Sequence, residues 1–101
     1  MSKEAKDKKR PGRRLAAALR YRPAIDSAPR VLASGKGIIA DNIIALAREH
    51  GLPIQKDSSL VDVLCRIELG KEIPPELYEA VARILSFLVY VDGLKEGKME
   101  K

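Results

Sequence analysis

The chain has 101 residues, 46% apolar but only 4% aromatic, with one cysteine, one histidine and a formal net charge of +5. That length makes one domain with a modest aliphatic core, the lone Cys65 excludes an internal disulfide and points to a reducing compartment, and the N-terminus has no apolar run of the kind a secretory signal needs. Residues 1–14 hold seven Lys/Arg and two acids, which leaves twelve of each for residues 15–101, so the basicity belongs to the N-terminal arm and the body is neutral.

The arm, MSKEAKDKKRPGRR, has almost nothing to bury against its ordering entropy and is predicted to be flexible. It reads either as a solvated terminus or as a basic arm that touches nucleic acid, anionic lipid or an acidic partner. Leu15 to Tyr21 is ambiguous between helix and strand, because alanine favours helix while the following Arg-Pro halts one. Asp26-Ser27-Ala28-Pro29 is a turn with an Asx-type acceptor at Asp26. Arg30 to Ala33 alternates polar and apolar and forms a short strand, broken by Gly35-Lys36-Gly37.

A helix over Ile38 to His50 follows, with Ile39, Ile43, Ile44 and Ala47 turned inward. Gly51 is placed for a left-handed cap, and Pro53 blocks continuation. Leu52 to Lys56 is a third short strand. Asp57-Ser58-Ser59 caps a helix from Leu60 to Glu68 that buries Leu60, Val61, Leu64 and Ile67. Pro74 and Pro75 open a last helix, with Glu76 in its first turn and Leu77, Val81, Ile84, Leu85 and Leu88 inward. The polar tail begins at Asp92-Gly93. Leu77 to Val91 is the most apolar stretch, but Glu79, Arg83 and Ser86 interrupt it and it falls short of the roughly 20 residues that cross a bilayer. It is expected to be a packed helix of a soluble chain.

The candidate chemical groups are sparse. Ser34-Gly35-Lys36-Gly37 lacks the first glycine and the final hydroxyl of a phosphate loop, so it reads as a strand-to-helix turn. His50 at a helix end reads as a cap. Cys65 beside Leu64 reads as a small core residue, and with His50 it makes too few soft ligands for zinc. Asp26, Asp57 and Asp62 are scattered over turns and helix starts and form no carboxylate pair. No cofactor or metal is expected.

Taken together and in order, Ala18-Leu19-Arg20-Tyr21, Ala28-Pro29, Gly35-Lys36-Gly37, Glu49-His50, Pro53, Leu69-Gly70 and Ile73-Pro74-Pro75-Glu76-Leu77-Tyr78 resemble the cytoplasmic domain of the FlhB/YscU family, the substrate-specificity switch of flagellar and type III protein export. The resemblance runs from Leu15 to Val89. It implies an α/β fold, a small mixed sheet of three to four short strands covered by about three to four helices, with Leu15 to Tyr21 as a strand. The implied organisation is an arm over residues 1–14, the domain over 15–91 and a tail over 92–101.

Family members cut their own backbone at Asn-Pro-Thr-His, just before the strand that matches Leu15 to Tyr21. Here that place holds Pro11-Gly12-Arg13-Arg14, which offers no attacking asparagine side chain, so neither autocleavage nor any other enzymatic activity is expected. The chain is similar to the fragment that follows cleavage, without the family's membrane helices and without the first strand of its sheet, which leaves one sheet edge open. The resemblance further implies an apolar substrate-binding patch at Ala28, Pro29, Ala82 and Leu85, with Ala28-Pro29 exposed in its turn. Ala82 and Leu85 share a helix face, either as part of that patch or as plain core. Implied partners are export substrates, export-apparatus proteins and a full-length paralogue, in the cytoplasm or at the cytoplasmic face of the inner membrane. The alternative is non-specific nucleic-acid binding by the arm. Against it stand the neutral body and an arm without aromatic residues.

Overall fold

The computed structural model describes residues 14–82 and 87–92. In chain order these form β1 (Leu15–Arg20), β2 (Arg30–Lys36), α1 (Ile38–Glu49), β3 (Ile54–Lys56), α2 (Ser58–Leu64), a one-turn 3₁₀ helix at Pro75–Leu77, and β4 (Phe87–Asp92). The sheet is mixed, in the order β2-β1-β4-β3. β1 is antiparallel to both neighbours, and β3 runs parallel to β4. The α/β class holds, with two α-helices among the described residues rather than three to four.

The alanine-rich β1 is a strand because of where it lies. It is paired on both edges, and its faces feed two separate cores. Ala17 and Leu19 join Val31, Leu60, Val61, Leu64, Leu88 and Tyr90 on the α2 side. Ala16 joins Ala40, Ile44, Ala47, Val89 and Val91 on the α1 side. Such double-sided burial outweighs the helical preference of alanine. β2 extends past Ala33 to Lys36, so Gly35-Lys36 belongs to the strand instead of ending it. A bulge opposite Ala18/Leu19 turns Leu32 outward.

Helix α1 presents Ala40, Ile44 and Ala47 to the sheet, while Ile43 is half-buried and Ile39 is 55% exposed. The buried stripe therefore runs Ala40, Ile44, Ala47 at i, i+4, i+7 spacing, rotated from the expected one that began at Ile39. Gly51 takes the left-handed conformation (φ 66°) just beyond His50, as its place in the sequence predicts. Helix α2 is capped by Asp57, whose carboxylate accepts the Leu60 N–H at 3.0 Å. It ends at Leu64, four residues before the expected Glu68, and Arg66 N–H→Val63 and Ile67 N–H→Leu64 bonds tighten its exit.

The largest correction concerns the predicted last helix. After the 3₁₀ turn, residues 78–82 continue as turns, and Phe87–Asp92 is a strand in the middle of the sheet. Leu88 and Tyr90 face the α2 core while Val89 and Val91 face the α1 core. A continuous apolar run buried on both faces has the same density of large residues as an amphipathic helix. Its β-branched and aromatic content favours the strand. Ile84 and Leu85 lie outside the described residues. Asp92 closes β4 and accepts a hydrogen bond from the Ser58 hydroxyl at 2.7 Å.

The outer edge of β2 is covered over its first half. Ile73 N–H donates to the Pro29 carbonyl (2.9 Å), Val31 N–H to Lys71 (3.0 Å), and Gly70 N–H to Val31 (2.7 Å). No helix among the described residues is long and apolar enough to cross a membrane.

Candidate recognition site

Beyond β1 the chain folds back on itself, with Ile25 and Asp26 N–H both donating to the Arg22 carbonyl. This brings Ser27, Ala28 and Pro29 alongside Tyr21. From the other direction, Pro74 is extended (φ −75°, ψ 159°) and delivers the chain into the 3₁₀ turn. That turn continues through Val81 N–H→Leu77 and Ala82 N–H→Glu79 bonds. The two segments meet around a cavity of about 200 Å³ lined by Tyr21, Ser27, Ala28, Pro29, Tyr78, Val81 and Ala82.

Three of the four patch positions implied by the resemblance, Ala28, Pro29 and Ala82, therefore share one cavity. Leu85 lies outside the described residues. Ala28 is 2% exposed rather than exposed, because the turn tucks it against the α2-side core, with Val31 and Ile73 in the same cluster. Pro29 is half-buried and Ala82 is exposed, so Ala82 is a rim residue and not core. Tyr21, Ser27, Tyr78 and Val81 complete the lining and were missed from sequence. Tyr78, next to the Ile73-Pro74-Pro75 run, was the one carrying a signal.

The turn is clamped by charge. The Asp26 side chain is fully buried and accepts Nε–H of Arg30 at 2.8 Å and the Arg22 N–H at 3.0 Å, with the Arg20 guanidinium 3.8 Å away. It reaches back to Arg22 instead of forward as an Asx turn would. The Arg30 guanidinium holds the Asp26 carboxyl below its ordinary range, outweighing burial, and the Arg22 N–H adds to it. Bonded to Asp26, Arg30 is in turn raised above its usual value. Arg30 also donates to the Gly70 carbonyl (2.7 Å) and to Glu72 (3.4 Å), and Glu72 accepts the Ser27 N–H at 3.1 Å.

The remaining candidates have structural settings. A Cβ on Gly35 would stand 2.8 Å from Ile39 Cβ, and Gly37 has φ 63°, so both glycines answer to the strand-to-helix junction. His50 Nδ1 donates to the Leu46 carbonyl at 3.0 Å, a C-terminal cap. Cys65 is half-buried, its thiol 3.6 Å from the Ala16 carbonyl, and burial raises its pKa. Arg14 pairs with Asp41 of α1, and its carbonyl accepts the Gly37 N–H at 2.9 Å. Pro11, Gly12 and Arg13 lie outside the described residues.

Four mixed strands with a helix on each face, and a side-chain-sized cavity at the corner where the β1–β2 turn meets a proline-led 3₁₀ turn, define a small α/β domain of one particular kind. The chain belongs to the FlhB HrpN YscU SpaS family, whose model matches residues 13–88. It is 46% identical over 85 residues to the uncharacterized protein YlqH of Bacillus subtilis, covering 84% of this chain and 91% of that one. It is 40% identical over 77 residues to the flagellar biosynthetic protein FlhB of Aquifex aeolicus, 75% of this chain but 22% of that protein. With FlhB of Salmonella typhimurium the figures are 40% over 72 residues, 70% and 19%. The chain thus spans nearly the whole of the Bacillus relative and about a fifth of the flagellar ones.

Proposed function

We propose that this chain is a binding module of a flagellar or type III protein-export system, and that its cavity takes one apolar side chain from an export substrate. The observation that carries the reading is the convergence of Ala28, Pro29 and Ala82, from opposite ends of the domain, on one cavity between two tyrosines. Its volume of about 200 Å³ is below the usual range for small-molecule and cofactor pockets, yet ample for a single leucine or phenylalanine side chain. The family membership supplies the export context, since the longer relatives are flagellar biosynthetic proteins.

The module works by binding, without self-cleavage, in the cytoplasm or at the cytoplasmic face of the export apparatus. Small side chains at Ala28 and Ala82 leave the room a guest needs, and the tyrosine rings offer apolar walls with polar tips. Calorimetric titration of the chain with synthetic N-terminal segments of export substrates tests the reading. Binding is expected to depend on one apolar residue of the segment and to be lost in Ala82→Asp, whose rim position spares the core. Ala82→Leu, which fills the cavity with apolar atoms, is expected to block binding as well. Equal binding by both variants would refute the assignment.

A further inference from the structure

The walls of the cavity come from two segments far apart in the chain, and one side chain bonds across them. Glu72 accepts the Ser27 N–H on the first wall (3.1 Å), and it lies on the strap that runs through Pro74 and Pro75 to Tyr78, Val81 and Ala82 on the second. Its second contact is with Arg30, 3.4 Å away, which Asp26 and the Gly70 carbonyl hold in place. The backbone repeats the connection: Arg30 and Glu72 form an isolated antiparallel bridge, and Ile73 N–H donates to the Pro29 carbonyl at 2.9 Å. Ser27–Pro29 is therefore gripped at its first N–H by a side chain and at its last carbonyl by the strap. Beyond the grip, two prolines with fixed φ pass the position of the strap on to the second wall with little slack.

Glu72 is partly exposed and belongs to neither core cluster. Its side chain thus stands outside the main packing and bonds to the first wall from the strap that leads to the second. We propose that Glu72 is a positioning residue that fixes the width of the cavity and so selects which apolar side chain enters. This rests on the cavity being a binding site, and deepens that reading by naming what sets its selectivity. Glu72 touches no guest. It acts through Ser27 on one wall and through the strap on the other.

The experiment uses the full chain and a set of otherwise identical peptides carrying alanine, valine, leucine or phenylalanine at the anchor position, against wild type, Glu72→Ala and Glu72→Gln. Wild type is expected to discriminate among the four. Glu72→Ala should weaken the best peptide, because a cavity whose width is no longer fixed must be ordered when the guest enters. It should also compress the ranking, so that larger and smaller anchors bind alike. Glu72→Gln keeps an oxygen for the Ser27 N–H and is expected to restore the ranking. A uniform loss across all four anchors, or a ranking untouched in Glu72→Ala, overturns the proposal. So does failure of the glutamine variant to rescue.

A peptide-free readout separates this claim from the binding reading. In methyl spectra of the free protein, Glu72→Ala should move the Ala28 and Ala82 resonances together. If only Ala28 moves, the walls are not coupled. If both move but wild type binds no peptide, the coupling stands and the binding reading falls.

Discussion

Tyr90 donates its phenolic proton to the Ala80 carbonyl across 3.3 Å, which ties the central strand β4 to the turn carrying Val81 and Ala82. The same ring packs in the α2-side core. Tyr90→Phe keeps the ring and removes this bond, leaving a part-buried carbonyl without it. The expected loss is about 1 kcal/mol, read as a lower urea midpoint at an unchanged slope. An unshifted midpoint would mean that β4 does not anchor the turn.

Because β4 is buried on both faces, adjacent residues should matter alike. Leu88 faces the α2 core and Val89 the α1 core. Leu88→Ala should cost about 2–4 kcal/mol and Val89→Ala about 2 kcal/mol in chemical denaturation. The helix expected from sequence turned Leu88 inward without Val89. A silent Val89→Ala would restore the helical reading of this segment.

Gly35 is required by a close approach rather than by a ligand. An added methyl would collide with the Ile39 side chain at the start of α1. Gly35→Ala is expected to lower stability by about 1–3 kcal/mol, the usual range for overpacking. Melting curves with and without millimolar phosphate should shift equally for both proteins. Selective stabilisation of wild type by phosphate would reopen an anion-binding role for Ser34-Gly35-Lys36-Gly37.

Asp26 is expected to contribute to the loss of stability in acid. Facing it are the guanidinium groups of Arg30 and Arg20 and the Arg22 N–H, and its carboxyl is depressed below the ordinary value chiefly by Arg30. A group with a depressed folded pKa contributes fully above its unfolded value, about 3.9 for aspartate, and loses that contribution as pH falls through the folded value. Asp26→Asn should therefore be less stable than wild type at neutral pH, with the gap closing below about pH 4. Urea unfolding across this range measures it. A gap that stays constant into strong acid would show that the charge is not what holds the turn.

What could be read from sequence was mostly local. Asp57 before Leu60, and His50 and Gly51 at the end of α1, announce themselves through capping chemistry, whereas Pro74-Pro75 were read as opening a helix and open only a single 3₁₀ turn. Leu15–Arg20 does not, because alanine reads as helix until two neighbouring strands claim it, and only the family resemblance favoured a strand. Phe87–Asp92 misled for the opposite reason: a doubly buried strand lacks alternation, so its apolar positions also fit a helix. At the site, Ala28, Pro29 and Ala82 followed from resemblance alone. Tyr21 and Glu72 stayed hidden because long-range packing, which local propensity does not encode, brings them to the site, and the Asp26–Arg30 pair, only four residues apart, was passed over because Asp26 was read as a forward-facing turn acceptor.

The central claim is that an apolar side chain of an export substrate enters the cavity between the Ala28 turn and the Ala82 turn. Methyl spectra recorded while an export-substrate segment is titrated into the intact chain test it most directly. Shifts are expected to concentrate at Ala28, Val81 and Ala82 and to be absent with a segment whose apolar anchor is replaced by serine. Shifts centred instead on the exposed apolar residues of α1, Ile38, Ile39 and Leu46, or no shifts at all, would contradict it.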